Sequence, residues 1–379
     1  MRIPGRLVDS ALAAVDAEAP TLGDHLWRAV LAGAAWAYAA GVAVRRWSFD
    51  AGLRRARRLS VPVICIGNLT TGGTGKTPAT IALVQRLRNR GLAVGVLLRG
   101  YGREGEGIGI AADPSGHRAA WQRVGDEAAL LAERLPRVPV LVGADRFQAG
   151  REALGRFPLD VLVLDDGFQH RHLHRDLDLV MVDATDPLGG GHLLPRGRLR
   201  EPSSALRRAG ALLLSRSDQV KDLDGVRRLL LRAAPGVPQI LTRHRPARLT
   251  DLEGPGTHPP GVVRGRRVLA VSGIARPAAF HDTLSGLGAT LAGRLPFPDH
   301  HPYRPADLET IIRAADAARA EWIVTTEKDA VRLRAVAAAR AERYPILVLG
   351  VELEVTQGEE ILDGLLRRCL GDAGAARTP

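Results

Sequence analysis

Residues 61–87 read VPVICIGNLTTGGTGKTPATIALVQRL. The apolar run Val61–Gly67 has the length and composition of a buried strand. Gly72, Gly73 and Gly75 then let the chain turn with its N–H groups facing inward. Lys76 and Thr77 open a helix whose N-terminal end favours anions, and Pro78 falls in its first turn, where a missing N–H costs nothing. Strand, glycine loop and helix in that order predict a phosphate cradle over Thr70, Thr71, Gly72, Gly73, Thr74, Gly75, Lys76 and Thr77. In such a cradle the lysine meets the β- and γ-phosphates, and the hydroxyl after it binds Mg²⁺.

The alternation continues outward. Further strands are expected at Ala93–Arg99, Val138–Gly143, Asp160–Asp165, Leu177–Asp183 and Ala211–Ser215, with helices at Pro78–Arg90, Gly125–Arg134 and Arg146–Arg156. This pattern predicts an α/β fold: a P-loop NTPase-like parallel sheet with helices on both faces. Pro and Gly crowd residues 244–265, which predicts a linker. A second, smaller α/β lobe follows, with strands Val268–Ser272, Trp322–Thr326 and Pro345–Val351 and helices Pro277–Leu287, Pro305–Ala320 and Asp329–Arg340. The expected division is an N-terminal helical segment (1–50), a phosphate-loop domain (51–243), the linker (244–265) and the second lobe (266–379), with a cleft between the lobes.

At 379 residues the chain is long enough for two cores. Cys65 and Cys369 stand alone, so neither a disulfide framework nor a CxxC metal site is available, and a reducing compartment suits them. The net charge of +12 is carried mostly by arginine. It reflects either a general preference for arginine or a surface that meets anionic lipid or nucleotide. Aromatic residues are few and form no basic-aromatic repeat, so nucleic acid is not an expected partner. No small-residue cleavage site marks a secretory leader. Ala29–Val44 is uncharged and apolar and leads into Arg45, Arg46, Arg54, Arg55, Arg57 and Arg58. It is shorter than the roughly 20 residues a bilayer span requires. It is read either as a segment lying in a membrane interface or as a buried helix of the first domain.

Asp165 and Asp166 follow four apolar residues in VLVLDDGFQHRHLHRD, at the strand end where an open α/β sheet binds ligands and a Walker B acid holds Mg²⁺. Gln169 is placed to reach the same metal or a bound water. Asp126 and Glu127, in VGDEAALLAERL, start a helix; they are read as a base that orients a hydroxyl acceptor or as helix-capping acids. Asp299, His300 and His301 lie in the Pro-punctuated PFPDHHPYRPADL of the second lobe, where an imidazole could orient a carboxylate across the cleft. Arg99 and Tyr101 in LLRGYGR, Arg146 in GADRF, and Arg196, Arg198 and Arg200 in LLPRGRLREP are candidates for phosphate contact. His170, His172 and His174 invite a metal-store reading that their arginine neighbours and the missing cysteines oppose.

Taken together, GNLTTGGTGKTP, LLRGYGR, VGDEAALLA, VGADR, DDGFQHRHLHRDLDLVMVDA, GGGHLLPRGRLREP, FPDHHPY and TTEKDAVRL, in that order, resemble the tetraacyldisaccharide 4'-kinase family of bacterial lipid A synthesis. The resemblance spans roughly residues 36–335. It implies transfer of the ATP γ-phosphate to the 4'-hydroxyl of a tetraacyldisaccharide 1-phosphate at the cytoplasmic face of the inner membrane, by an enzyme peripheral or monotopic there; a monomer is expected. It also implies nucleotide binding by Thr70 to Thr77 and Mg²⁺ near Thr77, Asp165, Asp166 and Gln169. Asp126 would act as base with His300, favoured over His301. Arg99, Tyr101, Glu127, Arg146 and Arg198 would line the acceptor or phosphate site. The family loop also carries threonine at position 70, where the general phosphate-loop pattern has glycine.

Two other classes are weighed. GGTGKT is also the loop of deviant Walker ATPases that act as membrane-associated switches, but their additional lysine would fall at Thr71. A GTP-driven metal-insertion protein would carry [NT]KxD, whereas in TTEKDA Asp329 follows Lys328 directly.

Overall fold

The computed structural model describes residues 22–337 and 344–371. A central strand, β1 (Val63–Asn68), is buried at every position because it lies between parallel neighbours and under helices on both faces. Its neighbours are β5 (Val161–Asp165) and β6 (Leu177–Asp183). Beyond β5 lie β2 (Val94–Leu98), β4 (Val140–Val142) and an antiparallel edge, β3 (Gly109–Ala112). Beyond β6 lie β7 (Ala211–Ser215) and the long β8 (Gln239–Asp251), both parallel to it.

The second lobe is not a separate sheet. β13 (Ile346–Gln357) pairs with β8 and carries β12 (Trp322–Thr326), β10 (Arg267–Ser272) and β11 (Thr290–Pro296) beyond it, so the described strands form one 13-stranded sheet that includes the short β9 (Thr257–His258) on β8. The β8–β13 pairing is antiparallel, from Leu347↔Asp251 to Gln357↔Leu241. That reversal turns the C-terminal ends of β10 and β12 back toward those of β1, β6 and β7. Thr326 is level with Leu349 and hence with Leu249 on β8, while Leu214 is level with Leu241. Eight residues at about 3.3 Å each separate the two edges by about 26 Å. Two ligand-binding edges therefore face each other across a cleft bridged by a two-stranded ribbon.

Residues 244–251, within the expected linker, thus belong to β8. The reading from composition missed them because Pro246 and the arginines around it interrupt any apolar alternation. The proline sits where the register shifts between Gly350 and Val351, and the ribbon is laced by ion pairs, Arg243–Glu354 at 2.9 Å and Arg245–Glu352 at 2.7 Å. Likewise β3 and β11 are edge strands with glycine or arginine inside, β3 only half buried and β11 with no fully buried residue, so neither shows an apolar run.

The helices that position the site are α1 (Leu22–Asp50), α2 (Lys76–Arg88), α3 (Asp126–Arg134), α4 (Arg146–Arg156) and, in the second lobe, α8 (Glu327–Ala337); between α4 and α8 lie α5 (Leu223–Ala233), α6 (Pro277–Gly286) and α7 (Pro305–Ala318). Of the helix expected at Asp329–Arg340, residues 338–340 lie outside the described residues, as do 1–21 of the expected N-terminal segment. Each lobe has its own apolar centre, one around Ile64, Val84 and Leu131, the other around Val271, Ile311 and Leu333.

Candidate active site

The phosphate loop is tied down from below. Asn68, at the end of β1, donates its side-chain amide to the Thr70 carbonyl at 2.6 Å and to the Thr74 hydroxyl at 3.1 Å. Ser215, ending β7, donates to the Thr74 carbonyl at 3.0 Å. Thr71 N–H donates to the backbone carbonyl of Arg198 at 2.8 Å, and Thr74 N–H to that of Gly72 at 3.0 Å. Gly75 has φ +89°, and a Cβ there would collide with the His244 ring, so position 75 excludes side chains on both counts. Lys76 and Thr77 start α2 immediately after it.

Asp165 pairs in register with Ile66 of β1, which brings both strand-end acids beside the loop. Asp165 is buried, its Oδ1 has no hydrogen-bond partner, and burial, followed by the charge of Glu127, raises its pKa to about 7. Asp166 adopts φ +51°, which turns its carboxylate toward Lys76 Nζ, 3.7 Å away, and the Arg200 guanidinium, 2.8 and 3.0 Å away. Burial would raise its pKa, but Lys76 and Arg200 outweigh burial and hold it below the usual carboxylate range. Gln169 donates to the Asn68 carbonyl at 2.9 Å, and its Oε1 lies 3.5 Å from Arg200. A magnesium ion prefers hard oxygen donors shared between a few carboxylates, a hydroxyl and phosphate. The orphaned Asp165 oxygen, at the strand end beside the loop that runs into Thr77, suits one.

On the same lobe as the loop, Asp126 is the first residue of α3, after Gly125 at φ +92°, rather than a side-chain cap. Its carboxylate accepts from Glu127 N–H at 2.9 Å and faces His300 Nδ1 at 2.8 and 3.1 Å. Burial pushes its pKa up, yet the His300 hydrogen bond and the charges of Lys328 and Arg332 more than offset that and leave it lowered. His301 instead stacks on Phe297 and meets Asp307 at 3.0 Å, so the imidazole opposite Asp126 is that of His300. Glu127 lies 3.6 Å from Lys328. Tyr101 is 70% exposed, its ring 5.8 Å from that of His300, which leaves a face open to a ligand in the cleft.

Arg146 is buried under the Asp166 side of the site and donates to the Ala144 carbonyl at 2.8 Å; burial, then the neighbouring Arg99, lowers its pKa to about 10. Arg99 is exposed. Arg198 enters mainly through its backbone, which supports Thr71, while its guanidinium stands 3.7 Å from Asp186. The expected residues therefore divide between the phosphate-loop wall and the Asp126 wall. Arg200, expected as a candidate for phosphate contact, grips the Asp166 carboxylate. One participant was missing from the expectations. Arg276 of the second lobe reaches Asp183 at 2.5 Å and Asp186 at 3.7 Å, and no motif marks it. The three histidines of HRHLHRD gather no metal set, since no His/Cys/Asp/Glu metal cluster occurs among the described residues.

A phosphate loop opening a helix, paired acids on the adjacent strand and a carboxylate–imidazole pair across a cleft define a P-loop phosphotransferase. A family model described as tetraacyldisaccharide-1-P 4'-kinase matches residues 27–370. The chain belongs to that family. It is 47% identical over 345 residues to a tetraacyldisaccharide 4'-kinase of Anaeromyxobacter sp. (strain K), covering 90% of each, and 41% identical to one of Syntrophus aciditrophicus, covering 84% of this chain and 87% of that one. A crystal structure of LpxK from Aquifex aeolicus in complex with ATP superposes with a TM-score of 0.72 at 30% identity, covering 90% of this chain and 99% of that one. The protein is accordingly a lipid kinase of lipid A biosynthesis, a phosphotransferase with an alcohol acceptor, and not a deviant-Walker switch.

Proposed function

We propose that this kinase moves the γ-phosphoryl group of ATP to the 4'-hydroxyl of a tetraacyldisaccharide 1-phosphate held at the cytoplasmic face of the inner membrane. The P–O bond to the β-phosphate breaks, a P–O bond to the 4'-oxygen forms, and the hydroxyl proton passes to Asp126. The observation that carries this reading is the Asp126–His300 pair, in which an imidazole of the second lobe meets a buried carboxylate of the phosphate-loop lobe. Lys76 and the loop N–H groups of Thr70 to Thr77 grip the phosphates. Asp165, Asp166, Thr77 and Gln169 hold Mg²⁺, which when bound supplies charge neutralisation at the transferring group. Arg99, Tyr101, Glu127, Arg146 and Arg198 line the acceptor side. Purified enzyme incubated with γ-labelled ATP, Mg²⁺ and the acceptor is expected to place label in the lipid; label appearing only as free phosphate would refute the activity.

Membrane docking is supported by α1. Tyr38 donates to the Arg200 carbonyl at 2.8 Å, Arg45 to the Gln169 carbonyl at 2.7 Å, and Asp50 pairs with Arg171 at 2.7 Å, so one face of the helix is seated on the loops that carry the metal-side residues. The opposite face exposes Trp36 (79%), Val44 (64%) and Trp47 (61%), with Arg54 and Arg55 exposed just beyond. None of the described helices is long and apolar enough to cross a membrane. Tryptophans on one face with arginines nearby suit a helix lying in an anionic interface. An acyl chain gains about 0.8 kcal/mol per buried CH₂, so an enzyme that comes to the surface avoids extracting its substrate. Replacing Trp36 and Trp47 together by serine is expected to weaken co-sedimentation with anionic vesicles at least about tenfold, since each large side chain contributes about 1.5–3 kcal/mol of burial. Unchanged sedimentation would remove α1 from the membrane contact.

A further inference from the structure

The motif TTEKDAVRL is absorbed by none of the roles above, yet it starts α8, the second-lobe helix nearest Asp126. Lys328 and Arg332 stand four residues apart, so they share one face of α8. Lys328 Nζ lies 3.0 Å from His300 Nε2, 3.4 Å from Asp299 and 3.6 Å from Glu127. Arg332 is 1% exposed, and its Nη1 lies 3.5 Å from Asp126 Oδ2 without a hydrogen-bond partner of its own. Its Nη2 is anchored on Asp329 at 2.6 Å and on the Gly273 carbonyl at 3.2 Å.

Asp329 is fully buried and accepts from Gly273 N–H (3.0 Å), Thr326 hydroxyl (2.7 Å) and Tyr303 hydroxyl (3.1 Å) as well as from Arg332. Gly273 has no room for a side chain, since a Cβ would lie 2.9 Å from Asp329 Oδ1 and 3.0 Å from the Pro298 carbonyl. The Gly273 carbonyl also accepts the His300 backbone N–H at 3.3 Å. The turn that bears His300, itself at φ +60°, is thereby pinned to the root of α8.

Hydrogen-bond chemistry then assigns the protons. An ammonium group only donates, so the His300 nitrogen facing Lys328 must accept, and the ring proton sits on Nδ1, where it is donated to Asp126. We infer that Lys328 and Arg332 are positioning residues that bracket the Asp126–His300 pair from α8. Lys328 holds the imidazole neutral in its Nδ1–H tautomer, and Arg332 flanks the same Oδ2 that His300 approaches at 2.8 Å. Asp126 is thus kept an anion aimed at the acceptor, instead of being tied up in an ion pair with an imidazolium. This inference deepens the proposed role of Asp126 as base and rests on it for its catalytic consequence.

The test uses the full chain, histidine-labelled with ¹⁵N, with His300→Gln to assign the ring. Protonated and bare ring nitrogens resonate far apart, so the tautomer is read directly. In the wild type His300 is expected as Nδ1–H at pH 8, and in Lys328→Met as a mixture with the Nε2–H form. Lys328→Met is also expected to lower kcat about tenfold with KM for ATP unchanged, a loss that Lys328→Arg partly restores. Its acid limb should move up, because His300, Arg332, Glu127, Asp299 and Tyr101 would then face Asp126 without the ammonium group. Arg332→Lys should act in the same direction; Arg332→Met leaves Asp329 buried without its cation and is a folding control only. A wild-type His300 protonated on Nε2, or a Lys328→Met enzyme with unchanged kcat and pH profile, would overturn the bracket. The tautomer does not depend on which residue is the base. A shifted tautomer alongside a fully active Asp126→Asn would retire the base and leave the bracket standing.

Discussion

Replacing Lys76 by alanine is expected to lower phosphoryl transfer by at least about a hundredfold while the protein stays folded. Lys76 stands at the first position of α2 with its side chain 13% exposed, directed to Asp166 Oδ1 at 3.7 Å, where the phosphates and their metal would gather. Transfer of a phosphoryl group leaves little for the protein to do beyond placing the partners and neutralising charge, so a lost preorganised cation is felt in the rate. Removing a comparable donor elsewhere costs about 10²–10³ in kcat, or about 2.7–4 kcal/mol. The core under the loop is supplied by the buried Ile64, Val84 and Leu87, which the substitution leaves intact, so the melting temperature should shift by no more than a few degrees. Lys76→Arg should recover little, because a planar fork does not replace a compact ammonium in a glycine cradle. Steady-state kinetics with saturating acceptor, alongside ATP affinity by calorimetry, would check this; a variant within threefold of wild-type kcat would remove Lys76 from the transfer step.

Much of the first lobe was legible because parallel strands buried on both faces have to be apolar runs. Val161–Asp165 and Ala211–Ser215 are strands where they were expected, and the acids at positions 165 and 166 mark a strand end by breaking such a run. The phosphate loop was legible for a similar reason: glycines at 72, 73 and 75 answer a local backbone demand, and a local demand leaves a local trace. What escaped was held by contacts distant in sequence. β8 looked like a linker because its ladder is stabilised by charges on β13, about a hundred residues away. Arg276 joins Asp183 across the cleft, and Lys328 and Arg332 reach Asp126 and His300 from a helix whose own pattern is that of an ordinary amphipathic segment.

The choice between His300 and His301 shows the same limit. Both follow Asp299 in one turn, and nothing local separates them. The structure separates them by backbone: His300 takes φ +60° and swings toward α3, while His301 packs between Phe297 and Tyr303 and meets Asp307. A left-handed residue in a turn reverses the direction of its side chain relative to its neighbour, and the sequence alone carries no sign of which residue will take that conformation.

Asp126→Ala is expected to lower kcat by at least about a hundredfold, the lower end of the range assigned to a positioned general base, with ATP affinity little changed. Binding should survive because none of the groups that would hold the nucleotide (Lys76, Asp165 and the loop amides) hydrogen-bonds to the Asp126 carboxylate, whose partners are Glu127 N–H and His300. The pH dependence separates a base from a merely structural acid. Asp126 is held below the ordinary carboxylate range despite its burial, by the hydrogen bond from His300 and the cations around it. The reactive anion is therefore already present throughout pH 5–8, and the wild-type enzyme should show no acid limb from this group in that window. The same lowering makes the ionised carboxylate a source of stability. Its contribution is fully present above the unfolded value of about 3.9 and is lost as pH falls through the lower folded value. Asp126→Asn lacks that contribution, so its deficit in melting temperature should be visible at pH 7 and shrink as pH falls below the unfolded value of about 3.9. Asp126→Glu keeps the charge but moves the oxygen past His300, and should recover part of the stability and little of the rate. Near-normal turnover in Asp126→Ala, or a melting deficit that grows on acidification, would show that the carboxylate does not serve as the base held ionised by its neighbours.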